Sequence, residues 1–333
     1  MGLKISELLA KKQISFDSLR NKKIAVDASN MLFQFISSIM QRDGTPLMDS
    51  RGNATSHLVG IFSRISNLMQ RSIKLCFVFD GKPPVLKLKE QRERASRKQS
   101  AIEKLQQAKE EEDIELMLKY SKQSSRLTQE MLDESKELIA ALGLPVIQAP
   151  SEADAQLAYM CRNGDVWAAA TSDADVLVYG CPRIITNLTI SQRKKTSSGT
   201  VKVYPEIIEL KPLLEGLNIT NEQLLSIAIL TGTDYNPGGI HGIGQKKALK
   251  LVRDYAGQDA LFSAVKPDFD WKAVRDTFIT MRVDKDYVLE WKQLNKEKII
   301  SLLVEKHDFS HERVINTLDK FSGSKQKGLG DFA

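Results

Sequence analysis

Four carboxylates lie close together in residues 144–180, between apolar segments that have the composition of strands: Glu152, Asp154, Asp173 and Asp175. Carboxylates crowded at one site cannot all ionise unless cations are supplied, because each negative charge raises the pKa values of its neighbours. The stretch therefore predicts a metal site. The alternative is that Glu152 and Asp154 only complement a helix dipole and that the SDAD sequence is an ordinary turn.

The local pattern predicts how these carboxylates are positioned. Pro145 to Ile147 is typical of a short buried strand, and Ser151 is expected to cap a helix from Glu152 to Cys161. Because residues two apart do not face each other on a regular helix, Glu152 and Asp154 are expected to straddle the helix start. Trp167 to Ala170 is predicted to be a buried strand. The second carboxylate pair follows its carboxyl end, where open α/β sheets bind ligands.

An acidic residue also follows the carboxyl end of each of two other predicted strands. Lys23 to Val26 precedes Asp27 and an apolar helix from Met31 to Met40, and Leu75 to Phe79 precedes Asp80 and a GKPP turn. A short amphipathic helix is expected ahead of the first strand. The pattern predicts an α/β fold in which helices flank a central mixed, mostly parallel sheet.

The composition changes abruptly after Val85, since Gly and Pro are absent until Gly143 and an acidic run, Glu110 to Asp113, follows a basic block. A solvated helical pair held by ion pairs is the ordinary explanation of such charges. The competing prediction is a helical arch that forms a positively charged gate over the metal site. The basic block consists of Lys87, Lys89, Arg92, Arg94, Arg97 and Lys98.

Glycines and lysines follow Asp234 in a pattern suited to phosphate. Asp234 comes after an apolar helix predicted from Leu224 to Leu230, and Gly242 and Gly244 open another helix. Glycine lets the backbone approach a ligand closely, and free N–H groups at a helix start bind phosphate. With Lys246, Lys247 and Lys250 on the next turns, the segment predicts a helix-hairpin-helix that grips a duplex backbone without reading bases.

Composition narrows the class of protein. Lys and Arg number 48 against 42 Asp and Glu in 333 residues, a net charge of +6 that permits nucleic-acid binding. The three cysteines lack CxxC spacing and the four histidines are scattered, so reduced core cysteines are expected and a zinc site is not. No apolar run approaches the length of a membrane span.

The basic loop Gln192 to Gly199 has two interpretations. It either contacts phosphate or carries ordinary loop charge, and the second interpretation is favoured.

Taken jointly, the motifs resemble the flap endonucleases of the 5′-nuclease (XPG/Rad2-like) family, archaeal in type, over essentially the whole chain. They are VDASN, FDGKPP, PSEADAQ, TSDADVLVYG, and GTDY with GIHGIGQKKAL. The resemblance implies a PIN-like nuclease fold with a helical arch and a C-terminal helix-hairpin-helix region. It also implies Mg²⁺-dependent, structure-specific cleavage of branched DNA at 5′ flaps, with 5′–3′ exonuclease activity, in Okazaki fragment maturation and repair.

In that family seven carboxylates bind two divalent ions, Mg²⁺ with Mn²⁺ as a substitute, and oxygen-only ligation suits both. Asp154 stands where relatives usually have Glu, so it is expected to reach its ion through water. The seven matching positions are Asp27, Asp80, Glu152, Asp154, Asp173, Asp175 and Asp234.

The resemblance also assigns residues to the substrate. Lys87 and Arg94, seven and fourteen residues beyond Asp80, match catalytic cations that contact the scissile phosphate, with Arg97 as a helper. Phe33 falls where relatives stack a base near the cut. Further implied DNA contacts are Arg64, within a helix predicted from Ala54 to Arg71, and Glu152, Gly232, Asp234, Gly242, Gly244, Lys246 and Lys247.

The last residues resemble a sliding-clamp-binding peptide. Gln326, Leu329 and Phe332 are in place, and Ala333 stands where a second aromatic ring is usual. The implied partners are branched DNA (5′ flap, double flap, nicked or gapped duplex) and the sliding clamp (PCNA), with the chain itself a monomer. Cytoplasm is the expected location, because relatives from nucleated cells continue into a basic tail that is missing here.

Five regions are predicted from these motifs. Residues 1–105 form the N-terminal nuclease region with the start of the arch, 106–143 the rest of the arch and a connecting helix, and 144–231 the internal nuclease region. Residues 232–320 form the helix-hairpin-helix region and 321–333 the clamp-binding tail.

Two functions of other classes fit the motifs less well. A Mg²⁺-dependent aspartyl phosphotransferase also places DxD after a strand, but DASN offers no second acid and the GIG helix is left unexplained. A clamp-bound DNA-binding protein with a dead metal site is disfavoured, because all seven acids are present. Within the family, a 5′ exonuclease or a junction resolvase remains an alternative.

Overall fold

Short apolar strands form the centre of a seven-stranded sheet in the computed structural model, which describes residues 7–41, 43–189, 193–196 and 199–322. The sheet order is β1-β9-β6-β5-β2-β3-β4, and β7 and β8 form a separate hairpin. Strands β2 to β6 pair in parallel, whereas β9 and β1 are antiparallel additions at one edge, so the predicted mixed, mostly parallel sheet is confirmed. The strands are β1 Lys12–Gln13, β2 Lys23–Asp27, β3 Lys74–Phe79, β4 Val146–Gln148, β5 Ala168–Ala170, β6 Arg183–Thr186, β7 Arg193–Thr196, β8 Gly199–Lys202 and β9 Glu206–Glu209.

Both faces of the sheet are buried, which explains why the central strands are continuous apolar runs. Side chains alternate across a strand, so Ile24 and Val26 of β2 enter one core cluster and Ala25 enters the other. In β3, Phe77 likewise enters the cluster of Ile24 and Val26, and Cys76 enters the cluster of Ala25. All three cysteines are free and buried, as expected.

Helices cover both faces. Helices α1, α2, α3, α6, α14 and α15 pack in the first layer, and α7 to α13 in the second. Helices α4 and α5 pack against each other and form the arch, in which α4 buries few residues. The helices are α1 Ala28–Ser38, α2 Ser56–Gly60, α3 Ser66–Gln70, α4 Lys87–Glu110, α5 Ile114–Ser124, α6 Gln129–Ala141, α7 Ala153–Arg162, α8 Asp175–Val178, α9 Leu210–Leu217, α10 Asn221–Thr231, α11 Gln245–Asp254, α12 Gln258–Val265, α13 Trp271–Ile279, α14 Lys296–Ile300 and α15 His311–Ser322. None of them, within these ranges, has the length and apolar character to cross a bilayer.

One local prediction is wrong, and another is confirmed with a change in its central helical turn. The expected N-terminal helix is absent from residues 7–22, where the regular elements are β1 and a 3₁₀ turn, Asp17–Leu19. This segment is extended because β1 pairs with β9 and Ile14 N donates to Pro205 O at 2.9 Å. The predicted helix over 54–71 is α2 and α3 joined by a π-helical turn, Ile61–Ile65.

A long segment without helix or strand, residues 281–295, links the two helical layers and is here called the C-terminal strap. Asp284 N donates to Gln156 Oε1 at 2.7 Å, and Gln156 Nε2 returns a bond to Asp284 O at 2.8 Å. Further along, Trp291 Nε1 donates to Leu75 O, and Asn295 N donates to Ala141 O, each at 2.7 Å. The strap thereby ties α7, β3 and the end of α6 together.

Candidate active site

Asp27 lies at the end of β2 and also caps α1. Its Oδ1 accepts a hydrogen bond from Asn30 N at 2.9 Å, and its Oδ2 accepts one from Thr171 Oγ1 at 3.0 Å. A capping carboxylate satisfies a free N–H group at the helix start and is held in one orientation by it. The first acid is thus fixed by backbone and side chain together.

The start of α7 differs from the prediction in its cap. Ser151 is not the N-cap, because its Oγ donates to Lys82 O at 3.0 Å instead. The N-cap residue is Glu152, whose side chain makes no capping bond, and Asp80 Oδ1 accepts from Ala153 N at 2.9 Å. Asp80, at the end of β3, therefore caps α7, and the Glu152 side chain lines the cleft instead. The expectation that Glu152 and Asp154 straddle this start is confirmed.

The central acids form a compact group. Ligand oxygens of Asp154, Asp173 and Asp175 all lie within 4.8 Å of one another. Asp175 opens α8, and its N–H donates to Asp173 Oδ1 at 3.0 Å. The shorter Asp154 side chain therefore reaches the other two acids closely enough for one cation to be shared.

A cleft of about 600 Å³ at the carboxyl ends of the central strands brings the predicted residues together. It contains six of the seven carboxylates, and Asp175 joins them through its contacts with Asp154 and Asp173. Phe33 and the three predicted arch cations, Lys87, Arg94 and Arg97, line the same cleft, as do residues that had not been assigned to the site from sequence. Those missed are Ser29, Asn30, Lys98, Lys122, Gln123 and Leu127. Lys98 had a signal in its place in the basic block, and Ser29 and Asn30 had one in the VDASN motif, whereas the other three had none.

Burial and the charges of neighbouring acids raise the pKa values of Asp27 and Asp154. Burial, followed by the charge of Asp80, raises the pKa of Asp27 from 3.8 to about 7. Burial and then Asp173 raise the pKa of Asp154 well above its ordinary value. Buried like charges of this kind are relieved by a bound cation, and an all-oxygen donor set fits Mg²⁺ or Mn²⁺. The residues present therefore fit a divalent metal site.

The raised pKa of Asp27 gives a pH-dependent prediction. A carboxyl whose folded pKa exceeds its unfolded pKa stabilises the fold at low pH, and this contribution is lost as pH rises from about 4 to about 7. The metal-free protein should lose up to about 4 kcal/mol of stability over this range from this group, since one pKa unit corresponds to about 1.4 kcal/mol. We expect Mg²⁺ to raise the melting temperature more at pH near 7.5 than at pH near 5. NaCl at matched ionic strength is the control, and equal Mg²⁺ effects at both pH values would contradict the prediction.

Two arch cations stand directly over the acids. Lys87, the first residue of α4, forms ion pairs with Glu152 and, at 3.3 Å, with Asp234. Arg94 Nη2 lies 3.7 Å from Asp234 Oδ2. Burial opposes the charge on Lys87, but the pairs with Glu152 and Asp234 outweigh it and hold the pKa of Lys87 above its ordinary value. Lys87 therefore stays charged beside the acids of the cleft.

Phe33 offers an open aromatic face beside the acids. Its side chain is 38% exposed, and Lys98 Nζ lies 5.3 Å from its ring centroid. An exposed ring inside a polar cleft, with a cation nearby, is suited to stacking a base.

Other predicted DNA contacts lie outside this cleft. Arg64 packs over the Phe35 ring at 5.1 Å and donates to Thr189 O at 3.1 Å. Gly232 ends α10 with a φ of 101°, a backbone conformation that favours glycine. The helix-hairpin-helix residues Gly242, Gly244, Lys246 and Lys247 line a separate cavity of about 550 Å³. The predicted clamp-binding residues Gln326, Leu329 and Phe332 lie outside the described residues.

Comparison with known families agrees with this geometry. The model of the XPG N-terminal domain matches residues 2–101, and that of the XPG I-region matches residues 143–234. Together they match more than half of the chain. Both regions contribute acids to the cleft, so fold and site define a nuclease of the XPG type.

Full-length relatives narrow the family further. The chain is 44% identical to flap endonuclease 1 of Pyrococcus abyssi, covering 98% of this chain and 96% of that protein, and 45% identical to flap endonuclease 1 of Staphylothermus marinus, covering 99% of both. The solved flap endonuclease-1 of Methanococcus jannaschii superposes with a TM-score of 0.78 at 39% identity, covering 97% and 98%. The chain belongs to the flap endonucleases of the XPG/Rad2 5′-nuclease family.

The fold is also shared more widely. The catalytic core of Rad2, solved in complex with a DNA substrate, superposes with a TM-score of 0.71 at 23% identity and covers 96% of this chain and 99% of that one. By its flap endonuclease relatives the chain is a structure-specific nuclease of a metal-dependent family, and its acidic cluster is consistent with a metal site.

Proposed function

We propose that this chain hydrolyses one phosphodiester bond at the base of a 5′ flap in duplex DNA, leaving a 5′-phosphate and a 3′-hydroxyl. The observation that carries the proposal is the cleft in which six of the seven acids lie beneath Lys87 and Arg94. The Rad2 core, which shares the fold, was solved with a DNA substrate, and this supports DNA as the substrate here.

The seven carboxylates would hold two divalent ions, Mg²⁺ or Mn²⁺. When bound, such ions activate a water molecule and stabilise the departing 3′ oxygen. The protein contributes fixed ligand positions: Asp27 and Asp80 are held by the helix starts they cap, and Asp173 by the N–H group of Asp175.

The arch cations and Phe33 would act on the DNA itself. Lys87 and Arg94 neutralise the charge that develops on the scissile phosphate, in a partly buried cleft where such charges interact strongly. Phe33 stacks a base next to the cut and so aligns the bond with the acids. Arg97, which lines the cleft, supports the same phosphate.

A double-flap DNA labelled at its 5′ end tests the proposed activity. In the presence of Mg²⁺, one endonucleolytic product should appear, and none should appear with a chelator. A ladder of mononucleotides without an endonucleolytic product would instead indicate a 5′ exonuclease. Preferred cleavage of a four-way junction would indicate a junction resolvase.

The helix-hairpin-helix segment would grip the duplex away from the cut. Lys246 and Lys247 are exposed at the start of α11, beside glycines that permit close approach of a phosphate. Replacing both with alanine should weaken duplex binding and lower the slope of log Kd against log salt by roughly 0.9 for each phosphate that is no longer neutralised. The single-turnover rate at saturation should change little.

The matched control removes two exposed lysines elsewhere, Lys211 on α9 and Lys272 on α13. Fluorescence anisotropy over a salt series measures the slopes. An unchanged slope for the Lys246 and Lys247 variant would show that these residues are ordinary surface charges.

The tail is proposed to bind a sliding clamp through Gln326, Leu329 and Phe332. Ala333 lacks the ring that relatives place there, and burying about 150 Å² at about 25 cal/mol per Å² is worth a few kcal/mol. Ala333→Phe should therefore tighten clamp binding by about tenfold or more. Flap cleavage without the clamp should not change.

Calorimetry with the cognate clamp measures this difference, and Phe332→Ala serves as the weakened control. The absence of binding by both the wild type and Ala333→Phe would contradict a clamp-binding role for the tail.

A further inference from the structure

One face of helix α4 carries an acid among its cations. Lys87, Glu90, Arg94 and Arg97 are three or four residues apart in succession, so they share one stripe of the helix. Glu90 is only 4% exposed, although most of α4 is solvated and the nearby Glu93 is exposed. This buried carboxylate belongs neither to the acidic group that the sequence predicted nor to the cleft lining.

Glu90 contacts the arginine that reaches into the site. Its Oε1 accepts a hydrogen bond from Arg94 Nε at 2.9 Å and lies 2.9 Å from Arg94 Nη2. Arg97 Nη2 lies 3.6 Å from the same oxygen. Since a guanidinium is planar, two contacts along one edge fix the direction in which the whole group points. Arg94 is thereby oriented toward Asp234, 3.7 Å from its Nη2.

The burial of Glu90 is costly for folding. Its Oε2 is buried and has no hydrogen-bond partner among the described residues. A buried, incompletely paired carboxylate costs free energy that an apolar residue of similar size would not. Packing alone therefore does not account for an acid at this position.

We propose that Glu90 is a positioning residue, which holds the Arg94 guanidinium in the orientation that meets the scissile phosphate. The inference rests on the proposed role of Arg94. Without Glu90 the guanidinium would sample several rotamers and would meet the phosphate for only part of the time. Substrate affinity, which many contacts share, would be almost unaffected.

Single-turnover cleavage and equilibrium binding of a 5′-flap DNA test this role. Glu90→Gln keeps an acceptor but removes its charge, so the rate should fall about tenfold while Kd stays within about twofold. Glu90→Ala should lower the rate further. In an Arg94→Ala background, Glu90→Gln should have at most about a twofold additional effect, because the group it positions is gone and only the longer contact with Arg97, 3.6 Å, remains.

Glu93→Gln is the matched control, since it removes the same charge from the exposed side of α4 and should leave the rate unchanged. Melting temperatures identify any loss of folding. A normal rate in Glu90→Gln, or an equal loss in the Arg94→Ala background, would overturn the positioning role. A normal rate in Arg94→Ala alone would instead contradict the proposed function of Arg94.

Discussion

Asp173→Ala is expected to lower flap cleavage by about 10³-fold or more, while folding and flap binding persist. Asp173 lies in the centre of the acidic group, within 4.8 Å of ligand oxygens of Asp154 and Asp175. Its carboxylate accepts a hydrogen bond from Asp175 N but packs in no apolar cluster, so alanine removes a ligand without opening the core. The removal of one negative charge from a crowded site also offsets the missing hydrogen bond.

Asp80→Ala should likewise abolish cleavage, with an additional cost of about 1 kcal/mol in stability because Asp80 caps α7. Single-turnover kinetics with Mg²⁺, gel-shift binding in Ca²⁺ and thermal melting separate these effects. Asp286→Ala, which removes an exposed carboxylate of the strap, is the control and should behave as wild type. Mg²⁺-dependent cleavage retained by both Asp173→Ala and Asp80→Ala would refute the two-metal assignment.

Lys87→Ala and Arg94→Ala are also expected to slow flap cleavage strongly. Each should reduce the single-turnover rate by about 10²–10³-fold and change flap affinity by no more than about threefold. The reason is that an interaction strengthened only in the transition state appears in the chemical step and not in binding. Lys87 is the more buried of the two and contacts both Glu152 and Asp234, so its removal should have the larger effect.

Lys89→Ala is the appropriate comparison, because Lys89 is two residues from Lys87 on the same helix but is exposed. Its rate should lie close to that of wild type. Rapid-quench kinetics at saturating enzyme, together with anisotropy measurements of Kd, give the rate and the affinity separately. A fall in affinity as large as the fall in rate would show that these cations only bind the flap.

The parts of the structure that sequence predicted well are those set by local pattern. The central strands are apolar because both sheet faces are buried, and an acid at the end of each marks the edge where the site forms. The prediction that Ser151 caps α7 was wrong because the carboxylate that accepts from Ala153 N belongs to Asp80, 73 residues earlier in the chain.

Other features depend on long-range contacts that no local pattern encodes. Strand β1 forms only because β9, almost 200 residues later, offers it an edge. Asn30 enters the site because its Oδ1 accepts from Ser172 Oγ at 3.0 Å, a contact across two strand ends. The burial of Glu90 beneath Arg94 could be suspected from the helical spacing but not established without the packing of α4.

The C-terminal strap bears on how the enzyme accommodates a branched substrate. Residues 281–295 bond to α7 on one side of the sheet and to β3 and the end of α6, so the strap joins the two helical layers directly. Val283 and Tyr287 of the strap also pack against the core cluster that contains Ala248 and Val252 of α11. If α11 binds the duplex as proposed, we expect the adjustment to the flap to occur mainly in the arch, where α4 buries few residues.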